Sequence, residues 1–396
     1  MEVDVVEGDL LVGDGATVKA KSGERVVVKG KVEFEGDSDV LSSLEARDLR
    51  GKRCRVNISG DLIVSGSIYI EDGDLVTEGQ LVAKDVDVDR RVVVRGNLKC
   101  EMLSVGGSLE VGGDVEAVDL SVGGSVTTHG SLRGSVLKVG GSFDVDGIAE
   151  LERLEVGGRA RVGGGSIDRV DVGGTFESTG KLKFGRIDVG GTVRLAACEG
   201  EGKVSVGGVL RVEGDFTFDE VSVGGTLEVL GSAEGNSVDV GGTVKVSEDA
   251  VFRRALNVGG FAGIRKELRA GTVSVGGSLE AEVCFADKVR VGGRVETQRG
   301  VKSKLFEIGK HGKVIGPVVA EHVEARDNAE LDDVYAGLLV MGRGSSARNV
   351  YVKRAVLESE CKVSGELIYT EELELGERLR LRSEPKRAEQ LPEPPI

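Results

Sequence analysis

Proline and aromatic residues are scarce in this sequence. It has five prolines, no tryptophan and an aromatic content of only 4%. Low proline beside 62 glycines and plentiful valine, without a Gly-X-Y period, excludes a collagen triple helix and a disordered linker. A site that cleaves polysaccharides usually stacks sugars on aromatic side chains, so this composition also disfavours a carbohydrate-active enzyme.

Basic residues are outnumbered, 52 against 67 acidic ones, which gives a net charge of −15. This balance disfavours nucleic acid and anionic membrane surfaces, because both bind proteins mainly through basic side chains. No apolar run approaches the roughly 18 residues of a membrane span. The acidic, alternating start, Met-Glu-Val-Asp-Val-Val-Glu, does not resemble a signal peptide. We therefore expect a cytoplasmic protein without membrane insertion.

The five cysteines are scattered and form no Cys-x-x-Cys pair, which is typical of free thiols in a reducing compartment. Asparagine and glutamine are also rare, at six and three residues. Few amides with abundant charge is a composition typical of thermophile proteins.

The most regular feature of the chain is a recurring Val-Gly-Gly. Its valines follow one another at a nearly constant spacing of about 17. They are Val105, Val122, Val139, Val156, Val172, Val189, Val206, Val223, Val240, Val258, Val275 and Val291. A fixed period of this size indicates a stacked repeat.

Apolar residues alternate with polar ones on both sides of each Gly-Gly. Leu103 and Val105 precede one Gly-Gly, Leu109 and Val111 follow it, and polar Ser104 and Glu110 lie between the members of each pair. Alternation with period two is typical of strands with one buried face. The polar positions should stack into charge ladders facing water. We interpret Gly-Gly as a corner, where glycine would accept positive φ.

A third strand fits into the rest of each unit. The sequence therefore predicts an all-β fold, a single-stranded parallel β-helix (β-solenoid) with triangular coils of about 17 residues. Coils would stack about 4.8 Å apart, and roughly 22 of them would form a rod on the order of 100 Å long.

We predict four segments. Residues 1–102 form irregular N-terminal coils, in which Ser42 to Arg53 is the one stretch where a brief helix or loop competes. Residues 103–307 form regular Val-Gly-Gly coils. Residues 308–382 keep the period with a different corner, and residues 383–396, with four of the five prolines, form a disordered tail.

The C-terminal coils resemble the bactofilins, the polymer-forming cytoskeletal proteins. The resemblance rests on apolar, charged and small residues in the pattern of Val318-Val-Ala-Glu-His-Val-Glu-Ala, Val350-Tyr-Val-Lys-Arg-Ala-Val-Leu and Leu367-Ile-Tyr-Thr-Glu-Glu-Leu-Glu-Leu-Gly-Glu. The opening Val6-Glu-Gly-Asp-Leu-Leu-Val-Gly-Asp-Gly-Ala-Thr-Val is similar. The resemblance implies a right-handed β-helix that polymerises end to end without nucleotide, here as an unusually long member.

Several motifs could carry chemistry, and each has a simpler interpretation. Gly-rich loops can cradle phosphate, but a loop that recurs at every coil indicates a turn. Ser or Thr after Gly-Gly would form a hydroxyl ladder. These residues are Ser108, Ser125, Ser142, Thr175, Thr192, Thr226, Thr243 and Ser278. A dominant step of 17 without a hexapeptide rhythm disfavours the left-handed acyltransferase helices.

Histidines, carboxylates and cysteines give the remaining candidates. His129 stands alone, whereas His311 and His322 could share a metal with Glu321 or Glu324. Stacked Asp171 and Asp188 would suit Ca²⁺ or glycosidic chemistry. Cys198 and Cys284 share a repeat position five coils apart and cannot pair. We favour surface or structural roles for all of them, and so predict no catalytic residue, no metal site and no cofactor.

The leading functional hypothesis is a non-enzymatic, cytoskeleton-like structural protein that forms homo-oligomers or filaments through its terminal coils. The alternative is a monomeric scaffold or spacer that binds protein partners along its charged ladders. A carbohydrate-active or metal-dependent enzyme is the third hypothesis.

Overall fold

The computed structural model describes residues 1–200 and 202–396. Within them the chain is all-β, without helices, and its parallel strands stack as a β-solenoid whose turns lie about 17 residues apart. The predicted fold class is therefore confirmed. The chain divides into two compact units, unit 1 over Met1–Ala196 and unit 2 over Ala197–Ile396.

The strands are numbered β1 to β45 in chain order. Strands β1 to β23 are Val5–Val6, Leu10–Val12, Thr17–Val18, Arg25–Phe34, Ser38–Val40, Ser43–Lys52, Arg55–Ile58, Leu62–Val64, Ser67–Glu71, Asp74–Thr77, Leu81–Val82, Asp85–Val88, Arg91–Val94, Leu98–Val105, Ser108–Val111, Val115–Val122, Ser125–Thr128, Leu132–Val139, Ser142–Val145, Ala149–Val156, Arg159–Val162, Gly165–Val172 and Thr175–Val189. Strands β24 to β45 are Thr192–Glu199, Lys203–Val206, Val209–Val212, Phe216–Thr217, Glu220–Val223, Thr226–Val229, Ala233–Val240, Thr243–Val246, Ala250–Val258, Phe261–Val275, Ser278–Val291, Arg294–Ile308, Lys313–Ile315, Val318–Ala325, Glu330–Leu331, Val334–Met341, Ser346–Ala347, Val350–Leu357, Lys362–Val363, Leu367–Leu375, Arg380–Leu381 and Lys386–Arg387.

Each regular coil has three sides, which we call A, B and C in chain order. In one coil of unit 1, side A is Ser108–Val111, and β16 supplies both side B (115–117) and side C (119–122). The alternation of buried residues changes phase at Val118, which is 52% exposed and lies at the corner between sides B and C. Every side of this coil pairs in parallel with the same side of the next coil, as Ser108 does with Ser125.

The core consists of the inward columns that the alternation predicts. Leu103 stacks on Leu120 and then on Leu137, and all three are at most 2% exposed. Val105 and Leu109 are equally buried. Burying one such side chain contributes about 1.5–3 kcal/mol, so the stacked columns supply the main stabilising term.

The first coils of unit 1 are longer than the regular ones. Val5 pairs with Val27, whereas Arg25 pairs with Ser43, a step already close to the regular one. The helix or loop considered for Ser42 to Arg53 was wrong, because Ser43–Lys52 is strand β6. Leu44 and Leu49 of this strand point inward and are at most 1% exposed, so packing on neighbouring coils overrides the local helical spacing.

The corner between side C and side A exists in two forms. In the first and last coils, residues with left-handed backbone make the turn, as with Arg53 (φ 49°) and Asn328 (φ 57°). In the Val-Gly-Gly series from Val105 to Val291 the described glycines have no positive φ, so the predicted reason for these glycines was wrong. Glycine is required there because corners stack closely: a Cβ on Gly124 would lie 2.5 Å from the carbonyl oxygen of Gly107.

Unit 2 keeps the three sides after the Val-Gly-Gly series ends. Side B of its later coils includes 301–303 and 318–320, and side C includes 305–308 and 322–325. The segment predicted as a disordered tail differs in one place: Lys386–Arg387 forms strand β45, paired in parallel with Ile368 and Tyr369. This short pairing depends on the free edge of β43, which local composition does not reveal.

Candidate functional site

At the Gly123–Gly124 corner both glycine amides are bonded to the preceding coil and are not available to a phosphate. The Gly124 amide donates to the carbonyl of Gly107 at 2.8 Å, and the Gly123 amide donates to Val105 at 2.9 Å. Each corner therefore binds the one before it. Because a phosphate loop needs free amides that point at the ligand, these loops are turns of the coil.

The serine that follows Gly-Gly occupies one outward column. Ser108, Ser125 and Ser142 are in register on side A. Arg159 takes the next place in the column, followed by Thr175. This is a stacked ladder at the start of a strand.

The structure separates the histidines. His129 Nδ1 lies 2.8 Å from Asp146 Oδ2 on an exposed corner. His311 has φ 57° and forms a corner between sides C and A, a conformation in which histidine is enriched. His322 lies on side C between Leu305 and Leu338, and its Nε2 is buried without a hydrogen-bond partner. In the described residues no three His, Cys, Asp or Glu side chains form a group able to hold a metal ion.

Asp171 and Asp188 are stacked in register, as expected, but arginines satisfy both. Arg169 Nε donates to Asp171 at 2.9 Å, and Arg186 Nε donates to Asp188 at 2.6 Å. The hydrogen bond that Arg169 donates to the Asp171 carboxylate raises the pKa of Arg169 above its ordinary value. The two aspartates therefore belong to a ladder of ion pairs. A divalent cation would have to displace Arg169 and Arg186 to bind them.

All five cysteines are free and buried. Cys198 and Cys284 lie in one inward column on side B of unit 2, separated by Phe216, Ala233, Ala250 and Leu268. Burial raises the pKa of each of these two thiols to about 12. They are therefore packing residues with little nucleophilic character.

Charged ladders run along the outside, as the sequence predicts. Arg211 pairs with Glu228 one coil later at 2.7 Å, and Arg133 pairs with Glu150 at 2.8 Å. Such exposed pairs contribute about 0–1 kcal/mol each. These ion pairs also set the order of basic and acidic side chains along each outward column.

Sequence reasoning missed a column of polar residues at the corner between sides A and B. Asn97, Asp114 and Ser131 follow one another in it, and each accepts a hydrogen bond from the backbone amide of the residue that succeeds it. The signal was present as Gly-Asn and Gly-Asp dipeptides at the repeat spacing. These residues are caps of the backbone.

An open groove of about 1020 Å³ runs along side B of unit 2 and the corner that leads to side C. Six basic and three acidic side chains line it. They are Arg253, Arg269, Lys302, Lys304, Lys353 and Arg354, with Asp287, Glu321 and Glu371. Arg269 lies 4.7 Å above the ring centre of Phe285. Basic side chains outnumber acidic ones in this lining, but four of them pair with carboxylates and Lys302 is bonded to the Ile396 carbonyl. The sequence did not reveal the groove because these residues are brought together only by the register.

The terminal coils expose residues that are buried in every neighbouring coil. Leu375 stacks on Leu357, yet Leu375 is 47% exposed and Leu357 only 1%. In the first coil, half-buried Val6 stacks on Val28, which is 1% exposed. Both ends thus present apolar side chains beside strand edges.

The described residues contain no helix of the length and apolarity that crossing a membrane demands. In comparisons with known proteins, no family model, no curated protein and no solved structure matches this chain.

Proposed function

We propose that this protein is a non-enzymatic structural protein that self-associates through its terminal coils, without nucleotide, as a cytoskeletal subunit does. The observation that carries the proposal is the contrast between Leu375 and Leu357, two stacked residues of one inward column that are 47% and 1% exposed. A further coil placed on Leu375 would bury it as Leu357 is buried.

Two physical terms favour such stacking. Covering a leucine contributes about 1.5–3 kcal/mol at full burial. The edge of a terminal coil also carries backbone amides and carbonyls that can pair with another strand. A second copy of this chain supplies a matching parallel edge and matching inward columns.

Other observations support the proposal. The Gly-Gly amides, the stacked carboxylates and the buried thiols all have structural partners or surroundings. The C-terminal coils also resemble the bactofilins, which polymerise end to end.

Sedimentation velocity and negative-stain electron microscopy of the full chain test the proposal over a range of micromolar concentrations. We expect end-joined oligomers or filaments, and we expect L375R to weaken them at least about tenfold, because a charge cannot be buried unpaired at the joint. V118R is the matched control, since Val118 is 52% exposed at a corner away from the ends. A single monomeric species at all concentrations and salt levels would overturn the proposal.

The basic groove of unit 2 favours a second candidate function, a scaffold that binds an acidic protein segment. Its basic side chains outnumber its acidic ones six to three. A labelled deca-glutamate peptide is a suitable probe. We expect salt-sensitive binding that R269E weakens and R133E, on a column of unit 1, leaves unchanged. Equal binding by both variants would contradict a role for the groove.

A further inference from the structure

Strand β45 adds one short strand to the edge of the last coil. Lys386 and Arg387 pair in parallel with Ile368 and Tyr369, on side B of the last coil. The Ala388 amide extends this pairing with a 2.9 Å hydrogen bond to the Tyr369 carbonyl. The chain therefore covers the side B edge of its own last coil, whereas Leu375 on side C remains 47% exposed.

The first coil has a strand that belongs to the same side. Strand β1 (Val5–Val6) pairs in parallel with Val27–Val28, and the register through Glu45, Ile63, Val82 and Lys99 leads to side B of the regular coils. Val5 is 53% exposed. In parallel stacking of two copies, β1 of the second copy would pair with Ile368–Tyr369, where β45 lies.

Residues 388–396 form a strap that links β45 to an anchor on side B. Residues 388–396 return along side B, and at their end Lys302 Nζ donates to the Ile396 carbonyl at 3.2 Å. Side B rungs from β45 to this anchor follow the order Lys386, Ile368, Tyr351, Tyr335, Val319 and Lys302. Five rung steps measure about 24 Å, within the roughly 30 Å that nine extended residues can span.

The strap is held at few points. Of residues 388–396 only Ala388, Leu391 and Ile396 are half-buried, and the others are exposed. Its anchor is close-packed, because a Cβ on Gly300 would lie 3.1 Å from Ile396 Cδ1. Such a segment can detach without disturbing the core.

We infer that the side B edge at Ile368–Tyr369 is a docking site for strand β1 of a second copy, and that β45 with its strap is the intramolecular competitor for that site. This inference rests on the proposed self-association through the terminal coils. The inference specifies which strand edge the second copy pairs with and which segment of the chain competes for that edge. The tethered segment has an effective concentration of the order of millimolar, so it raises the protein concentration at which a second copy can take the edge.

The experiment compares full-length variants by sedimentation velocity. The double variant A388P/I396D removes the amide that donates to Tyr369 and the apolar anchor. E389P is the control, since it places the same ring one residue further along, at an exposed position. Hydrogen exchange of residues 384–396 verifies that the double variant has released the strap. We expect the double variant to self-associate at a concentration at least about tenfold lower than the wild type and E389P.

Adding a synthetic peptide of residues 384–396 should reverse the association of the double variant, and a scrambled peptide should not. If the wild type and the released variant associate equally, the competitor role is overturned while the proposed self-association stands. If neither associates at any concentration, the proposed function fails and the inference fails with it.

Discussion

Asp114 and Ser131 occupy the same position in successive coils, and the carboxylate of Asp114 accepts a 2.8 Å hydrogen bond from the Ser131 amide. The Asp114 amide in turn donates to Asn97 Oδ1 at 2.9 Å. A side chain thus replaces a strand partner where the chain turns from side A to side B.

This relationship predicts the effect of removing the acceptor. D114A leaves the Ser131 amide without its partner and should lower the free energy of unfolding by about 1 kcal/mol. D114N keeps an acceptor oxygen and should lie close to the wild type, since Asn97 performs the same task one coil earlier. Urea denaturation of the three proteins measures the difference, and equal losses for both variants would contradict the assignment.

The close stacking of the corners predicts a position-specific cost for alanine. In G124A the new Cβ would lie 2.5 Å from the Gly107 carbonyl oxygen, so two corners must separate. We expect a loss of about 1–3 kcal/mol in unfolding free energy, as for other overpacked sites.

G13A is the matched control for that substitution, because a Cβ on Gly13 meets nothing within 4 Å and its φ is not positive. Thermal and urea denaturation should show G13A near the wild type. A stable G124A would show that the corner can relax, and the steric account would then be wrong.

Acid should weaken one ion pair in the C-terminal coils. Arg348 donates to both oxygens of Asp333, at 2.8 and 2.6 Å, and holds the pKa of Asp333 below its ordinary value of 3.8. Because the folded pKa is the lower one, the pair stabilises the fold above the ordinary pKa, and this stabilisation is lost as the pH falls through the folded pKa.

D333N should therefore lose less stability than the wild type between about pH 6 and pH 2. Urea denaturation at several pH values measures this dependence, with E389Q in the exposed part of the tail as the control. A steeper acid dependence in D333N would contradict the sign of the shift.

The buried thiols predict slow chemistry in the folded state. Burial raises the pKa of Cys100, Cys198 and Cys284 to about 12. At pH 8 only about one in ten thousand of each would be thiolate. An aromatic disulfide reagent should leave the native protein unmodified and modify all five thiols in guanidinium.

S121C is a positive control for that measurement, because Ser121 is exposed on side C and its replacement should react at once. Rapid modification of the native wild type would show that the coils open more readily than their packing indicates.

The sequence predicts the repeated features well because they depend on local alternation. Leu103, Val105 and Leu109 recur with the period and all lie in the core. The sequence was misleading where the cause is contact between coils. Position 124 requires glycine because the carbonyl oxygen of Gly107 leaves no room for a Cβ. Strand β6 forms because Leu44 and Leu49 pack inward on the neighbouring coils.

The candidate site was harder to predict, because it lies at the ends and in one groove. The placement of β45 depends on a partner strand in the preceding coil, and the groove combines Arg269 with Phe285 across a coil. Neither relationship has a motif of its own. Knowledge of the register is needed before such residues can be recognised as neighbours.

The fixed step of the register has a consequence for how such a chain can grow. Side A at Ser108–Val111 pairs only with the coils before and after it, at Arg91–Val94 and Ser125–Thr128. An in-frame duplication of residues 106–122 would therefore present the same partners in the same order on both of its flanks. Length is in this sense a modular property of the gene, and a change in the number of coils leaves the surfaces at both termini intact.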